Sequence, residues 1–162
     1  MHLASHESLA MALGRLLDAR GIKVTAAESC TGGGIASAIT SVPGSSRWFE
    51  QAFVCYSNTA KEQLGVSPSI LREHGAVSEA CVRALLAAAL ERSGADVGVA
   101  VSGIAGPDGG TLDKPVGTVY FAWGGSRIEA RRFQFPGDRA SVRSQSVDKA
   151  LELLIDYLQT TV

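Results

Sequence analysis

Asp96-Val97-Gly98-Val99-Ala100-Val101-Ser102 is an almost continuous apolar run, followed at once by Gly103-Ile104-Ala105-Gly106-Pro107. Its length suits a strand, and the missing polar alternation marks a strand covered on both faces. A strand buried on both sides needs helices above and below it, so this segment points to an α/β protein.

The neighbouring segments supply those helices. Upstream, Ser78 opens an Ala-rich helix over Glu79–Ser93, with Glu79 in its first turn, and Ser67-Pro68 fits an N-cap followed by Pro at N1. Ala52–Ser57 reads as a strand, and Asn58 is a candidate N-cap for a short helix over Thr59–Leu64 that Gly65 closes. Further back, Ile22–Ala27 is β-prone, and a helix starting near Thr31 runs through Ile35–Thr40 to the Val42-Pro43-Gly44 stop. Leu9, Met11, Leu13, Leu16 and Leu17 fall at helical spacing over Glu7–Arg20, which Gly21 ends.

Downstream, Gly117–Trp123 and Arg127–Phe135 flank Gly124-Gly125-Ser126 as a hairpin, the second strand alternating like a half-exposed edge. Arg139–Leu158 is the last helix, with Val142, Val147, Ala150, Leu151, Leu154 and Leu158 on its buried stripe. Helices between the first three strands imply right-handed parallel crossovers. The expected fold is a three-layer α/β/α sandwich with a mixed, mostly parallel five-stranded sheet and a terminal β-hairpin.

The composition narrows the function. At 162 residues, 46% apolar and 19% charged, the chain reads as one folded domain over 1–162 rather than a disordered segment. A net charge of −1 lacks the basic footprint of a nucleic-acid binder, yet leaves room for a local anion pocket. The widely spaced Cys30, Cys55 and Cys81 form no CxxC pair and read as small core residues; His2, His6 and His74 form no HxxH or HxxxH, so no metal site is expected. The amphipathic N-terminus has no leader pattern and no run is long enough to span a membrane, so a soluble, cytoplasmic protein is expected.

The 18 glycines cluster where β-like runs end, in loops suited to binding. Glu28-Ser29-Cys30-Thr31-Gly32-Gly33-Gly34 enters a helix whose first amides could hold an oxyanion or a phosphate; Ser29 is a candidate nucleophile there, and a helix cap by Ser29 or Thr31 is the competing reading. Tyr56-Ser57-Asn58-Thr59-Ala60-Lys61 follows the neighbouring strand. If the two strands are adjacent and parallel, Lys61 comes near Ser29 and can serve as its base once burial lowers its pKa, with the Tyr56 hydroxyl in support; alone, such a Lys is a solvated surface residue. Ser102, Gly103 and Gly106 would let a ligand approach a third strand end. Arg139 and Arg143 share a helix face and could clamp a phosphate, unless Asp138 pairs with one of them at the surface. Trp48 and Phe49 could pack on the core, cover the site or join an interface. Neither a Walker loop nor a GxSxG elbow is present.

TAAESCTGG, YSNTAK at 56–61, SGIAGPDGGT with KPVGTVYFA, and GDRASVR at 137–143 together resemble the CinA C-terminal domain family of nicotinamide-nucleotide amidases, over about residues 5–160. The resemblance implies hydrolysis of the carboxamide of nicotinamide mononucleotide to nicotinate mononucleotide and ammonia. It implies Ser29 as nucleophile, Lys61 as general base and Tyr56 in support. Cys30, Thr31, Gly32, Gly33, Ser102, Gly103, Gly106, Arg139 and Arg143 are the expected substrate contacts, with Lys114 a further phosphate candidate. No metal or organic cofactor is implied; a homodimer or higher homo-oligomer is, with no nucleic-acid or membrane partner. The central strand of the family usually ends in Thr-Gly-Ile-Ala-Gly-Pro, and Ser102 here keeps the hydroxyl. Some relatives carry an N-terminal pyrophosphatase-type domain, for which this chain has no room, so a stand-alone amidase is expected. The alternatives are a non-catalytic nucleotide-binding or regulatory domain, and a Ser–Lys hydrolase for another small amide.

Overall fold

In a computed structural model that describes residues 2–161, with side chains from residue 6 onward, the chain forms six helices, five strands and one 3-10 turn. The leader-free reading of the N-terminus rests partly on Met1 and on the side chains of 2–5, which lie outside the described residues. The elements run α1 (His2–Arg20), β1 (Val24–Glu28), α2 (Gly34–Thr40), the 3-10 turn Ser45–Arg47, β2 (Phe53–Val54), α3 (Asn58–Leu64), α4 (Pro68–His74), α5 (Glu79–Ser93), β3 (Val97–Gly103), β4 (Thr118–Gly124), β5 (Ile128–Gln134) and α6 (Arg139–Thr160). Among the described residues no helix is long and apolar enough to cross a membrane.

The sheet order is β2-β1-β3-β4-β5. β1 lies parallel to β2 and β3, while β3–β4 and β4–β5 are antiparallel. The expected mostly parallel sheet is therefore corrected to a mixed one in which antiparallel pairing predominates. Two physical causes act. The chain leaves β3 through a loop with no helical crossover, so it can only return antiparallel. β2 is cut to two residues because the next carbonyls, of Cys55 and Tyr56, accept from Lys61 instead of extending the ladder.

β3 sits in the middle, its first six residues buried. Its side chains alternate between layers: Val99 and Val101 pack with α1, α2 and α6, and Ala100 packs under α5. At Gly98 a Cβ would come within 2.9 Å of the Thr25 carbonyl oxygen and 3.0 Å of Leu86, so only glycine lets α5 lie this close to the sheet. Phe121 anchors the other layer, edge-on to Phe133 and Phe135.

Local signals set most of the ends. Ser78 caps α5 by accepting from the Cys81 amide, and Ser67 caps α4 ahead of Pro68. For α3 the cap is Ser57, accepting from Ala60, rather than Asn58, which already belongs to the helix. On α1 the buried stripe is Ala10, Leu13 and Leu17, and the expected Met11 is exposed. At about 100° per residue Met11 lies some 200° round from Leu13. Trp48 takes the core option, its indole seated against Gly14.

Candidate active site

Because β1 and β2 are parallel and in register from Ala27↔Phe53 to Glu28↔Val54, their C-terminal ends open side by side. Ser29 follows the first end directly, and α3 starts four residues after the second, which places Lys61 on the α3 turn facing β1. Lys61 Nζ donates to Ser29 Oγ at 2.9 Å, to the Tyr56 carbonyl at 2.9 Å and to the Cys55 carbonyl at 3.0 Å. The side chain is only 1% exposed. Burial, with no carboxylate among its hydrogen-bond partners, pushes the amine below its usual 10.5, against a smaller opposing pull from the nearby thiols and Tyr56. A neutral amine in this position turns its lone pair to the Ser29 hydroxyl.

Three thiols surround the same lysine. Burial pushes Cys30 and Cys81 up to about 11 and raises Cys55 as well. Each stays a neutral thiol near pH 7, which makes Cys30 a poor nucleophile beside Ser29. All three are buried and free of disulfides, as small core residues should be.

The turn after Ser29 departs from expectation. α2 begins at Gly34 rather than near Thr31, behind a left-handed Gly33 that makes no side-chain cap. Its first amides do not open into a pocket: those of Ile35 and Ala36 donate to the Glu28 carboxylate, and Thr31 Oγ does the same. The Gly32 amide is used by the Ser29 carbonyl. Thr31, Gly32 and Gly33 therefore lie outside the cavity, and of the expected loop contacts only Cys30 lines it.

The cavity holds about 280 Å³ and is lined by Ser29, Lys61 and Cys30, by Ser102, Gly103 and Gly106 from the end of β3, and by Tyr56 and Arg139. Ser102 is 2% exposed and its hydroxyl has no protein partner among the described residues, so it is a spare donor and acceptor at the cavity wall. The Tyr56 phenol, expected beside the dyad, instead stands at the rim and accepts from Arg139 Nη2 at 3.0 Å; it is the backbone carbonyl of Tyr56 that orients Lys61. Arg139 Nη1 donates to the Gly106 carbonyl at 2.8 Å, leaving its cation at the mouth.

The expected arginine pair divides. Arg143 donates to the carbonyls of Cys30 at 3.1 Å and Thr31 at 3.4 Å, behind the turn that follows Ser29, and does not line the cavity. Asp138 makes no ion pair with either; it caps α6 by accepting from the Ser141 amide. Lys114 is likewise spent, on the carbonyls of Val77 and His74. Asn58, Ala76, Val77, Asp108 and Gly109 also line the cavity. Ala76 and Val77 carry no chemical signal in the sequence, and Asn58 looked like a cap until Ser57 took that place.

The CinA C-terminal domain matches residues 6–158 of the chain. The nicotinamide-nucleotide amidohydrolase PncC of Pseudomonas putida is 55% identical over 150 residues, covering 91% of this chain and 94% of that protein. The protein of the same name from Escherichia coli K12 is 52% identical over 153 residues, covering 92% and 93%. Among solved structures, a CinA superfamily protein of Klebsiella pneumoniae superposes with a TM-score of 0.93 at 40% identity, over 97% of this chain and 99% of that one.

Proposed function

The chain belongs to the CinA C-terminal domain family, and on that premise we propose that it hydrolyses the carboxamide of nicotinamide mononucleotide, releasing ammonia and nicotinate mononucleotide. The observation that carries the reading is the buried Lys61 Nζ at 2.9 Å from Ser29 Oγ. The names of the amidohydrolase relatives supply the substrate class.

Neutral Lys61 takes the Ser29 proton as Oγ attacks the carboxamide carbon. The negative charge that develops on the carbonyl oxygen is met by the Cys30 amide, which donates to no backbone carbonyl among the described residues, interacts with its own residue's thiol, and belongs to a cavity-lining residue. The Lys61 ammonium then protonates the departing nitrogen, so that ammonia leaves and an acyl-Ser29 ester remains. A water takes the place of ammonia, gives its proton to Lys61 and attacks the ester; the proton returns to Ser29 Oγ as the bond breaks. Ser102 orients the carboxamide, and Arg139 at the mouth holds the phosphate of the nucleotide.

The test is ammonia release from nicotinamide mononucleotide by the wild-type chain and by Ser29→Ala. Loss of release in a folded Ser29→Ala that still binds the nucleotide supports the reading. Full activity in that variant, or binding without turnover in the wild type, refutes it. The same proposal takes 1–162 as a single amidase domain acting in the cytoplasm as a homodimer or larger homo-oligomer, a state that light scattering reads directly.

A further inference from the structure

Glu28 is the one buried carboxyl residue among the described residues, at 1% exposure, and the dyad chemistry does not use it. It is the last residue of β1, directly before Ser29. Strand side chains alternate, and Glu28 turns to the α2 layer while Ser29 meets Lys61 on α3. Its Oε1 accepts from the Thr31 hydroxyl at 2.6 Å and the Ile35 amide at 2.8 Å, and its Oε2 accepts from the Ala36 amide at 3.0 Å. Thr31 is itself buried. Glu28 thus caps α2 from seven and eight residues upstream, where the helix's own Gly33 offers no side-chain cap.

These bonds close a frame around the nucleophile turn. The Ser29 amide donates to the Val101 carbonyl at 3.1 Å, which ties one end of the turn to β3. Thr31 Oγ on Glu28 ties the other. Arg143 takes the carbonyls of Cys30 and Thr31 from α6. Together these bonds hold the backbone that carries Ser29 beside Lys61.

We infer that Glu28 is a positioning residue for the reaction of Ser29: acting through Thr31 and the first turn of α2, it holds the turn that sets the Ser29 hydroxyl against Lys61. The inference rests on the Ser29–Lys61 reading above. Three donors converge on Glu28, and a carboxylate only accepts. A glutamine would turn its NH₂ against one of those donors. Thr31→Val cuts the same path at its other end with almost no change of shape, and Thr31→Ser keeps the hydroxyl.

The full chain is compared with Glu28→Gln, Thr31→Val, Thr31→Ser and the Glu28→Gln/Thr31→Val double variant in two assays. One is ammonia release from nicotinamide mononucleotide. The other is the rate at which a fluorophosphonate labels Ser29, located by mass spectrometry; it needs an activated hydroxyl but no nucleotide. In Glu28→Gln and Thr31→Val both kcat and the labelling rate are expected to fall on the order of 10- to 100-fold, with KM within about two-fold. Thr31→Ser recovers most of the loss, and the double variant is no slower than the worse single one, because both cut one path.

Labelling at the wild-type rate in folded Glu28→Gln or Thr31→Val overturns the inference, as does a wild type in which Ser29 does not label. A lowered melting temperature with unchanged kcat per folded molecule also overturns it, because that is a stabilising role alone. Should Glu28→Gln fail to fold, the Thr31→Val and Thr31→Ser pair decides. A wild type that labels at Ser29 but releases no ammonia refutes the substrate reading, and the labelling rates of the variants still judge Glu28.

Discussion

Lys61→Met probes the proposed base and its burial together. Methionine keeps an unbranched chain of similar length and loses the amine. Burial holds the Lys61 amine below 10.5 in the folded chain. Between that lowered pKa and 10.5, unfolded chains bind a proton that folded ones do not. Stability therefore rises with pH across this window, by up to about 1.4 kcal/mol per pH unit for one group. Below the folded pKa the full penalty of a buried ammonium remains; above 10.5 it is gone. The cysteines act in the opposite sense. Cys30 and Cys81 are raised from 9.0 to about 11, so folded chains keep protons that unfolded chains release, and their contribution falls as pH rises through that range.

The measurement is accordingly a difference, wild type minus Lys61→Met, from urea titrations at about pH 6 to 10. Its slope with pH is the test, not its value at one pH. The variant also strips the Cys55 and Tyr56 carbonyls of their donor, at about 1–3 kcal/mol each. For activity, a positioned general base contributes about 10²–10⁴-fold, or about 2.7–5.5 kcal/mol at roughly 1.36 kcal/mol per decade. Wild-type kcat/KM is expected to climb about ten-fold per pH unit until the Lys61 pKa; the variant is lower by the factor above and lacks that climb. A variant within ten-fold of wild type, or one that keeps the wild-type stability slope, refutes the assignment.

Arg139→Ala removes the cation at the cavity mouth, a charge-assisted contact worth about 1.5–3 kcal/mol. KM for nicotinamide mononucleotide should rise about 10- to 150-fold, and far less for the riboside that lacks the phosphate; equal effects on both would refute a phosphate role. Phe121→Ala opens the layer between the sheet and α6, where Phe121 is fully buried against Phe133 and Phe135. A loss of about 3–5 kcal/mol is expected in urea titration; a loss below about 1 kcal/mol would show that the aromatic cluster contributes little to the core.

Much of the framework was legible because it is written in neighbouring residues. Ser78 opens α5, which runs over Glu79–Ser93 as expected. The unbroken apolar run at β3 announced a strand covered on both faces, and the stripe of α6 lies buried as its spacing required. Ser29 and Lys61 were candidates from their places at two strand ends. The parallel register of β1 and β2 then brought them to hydrogen-bonding distance.

Other features depend on groups far apart in the chain. The end of β2 is marked by a lysine on α3 that takes the next two carbonyls, and the division of labour between Arg139 and Arg143 is set by what each meets across the fold. The glycines after Ser29 suggested open amides, but the buried Glu28 had already claimed two of the amides of α2. The sequence by itself determined the element types, their order and the candidacy of Ser29 and Lys61, because caps, periodicity and strand-end placement are short-range properties. Only the tertiary structure decided which backbone amides remain unpaired, which arginine faces the cavity and how dry Lys61 is. Each of those depends on which distant group reaches a hydrogen-bonding partner first.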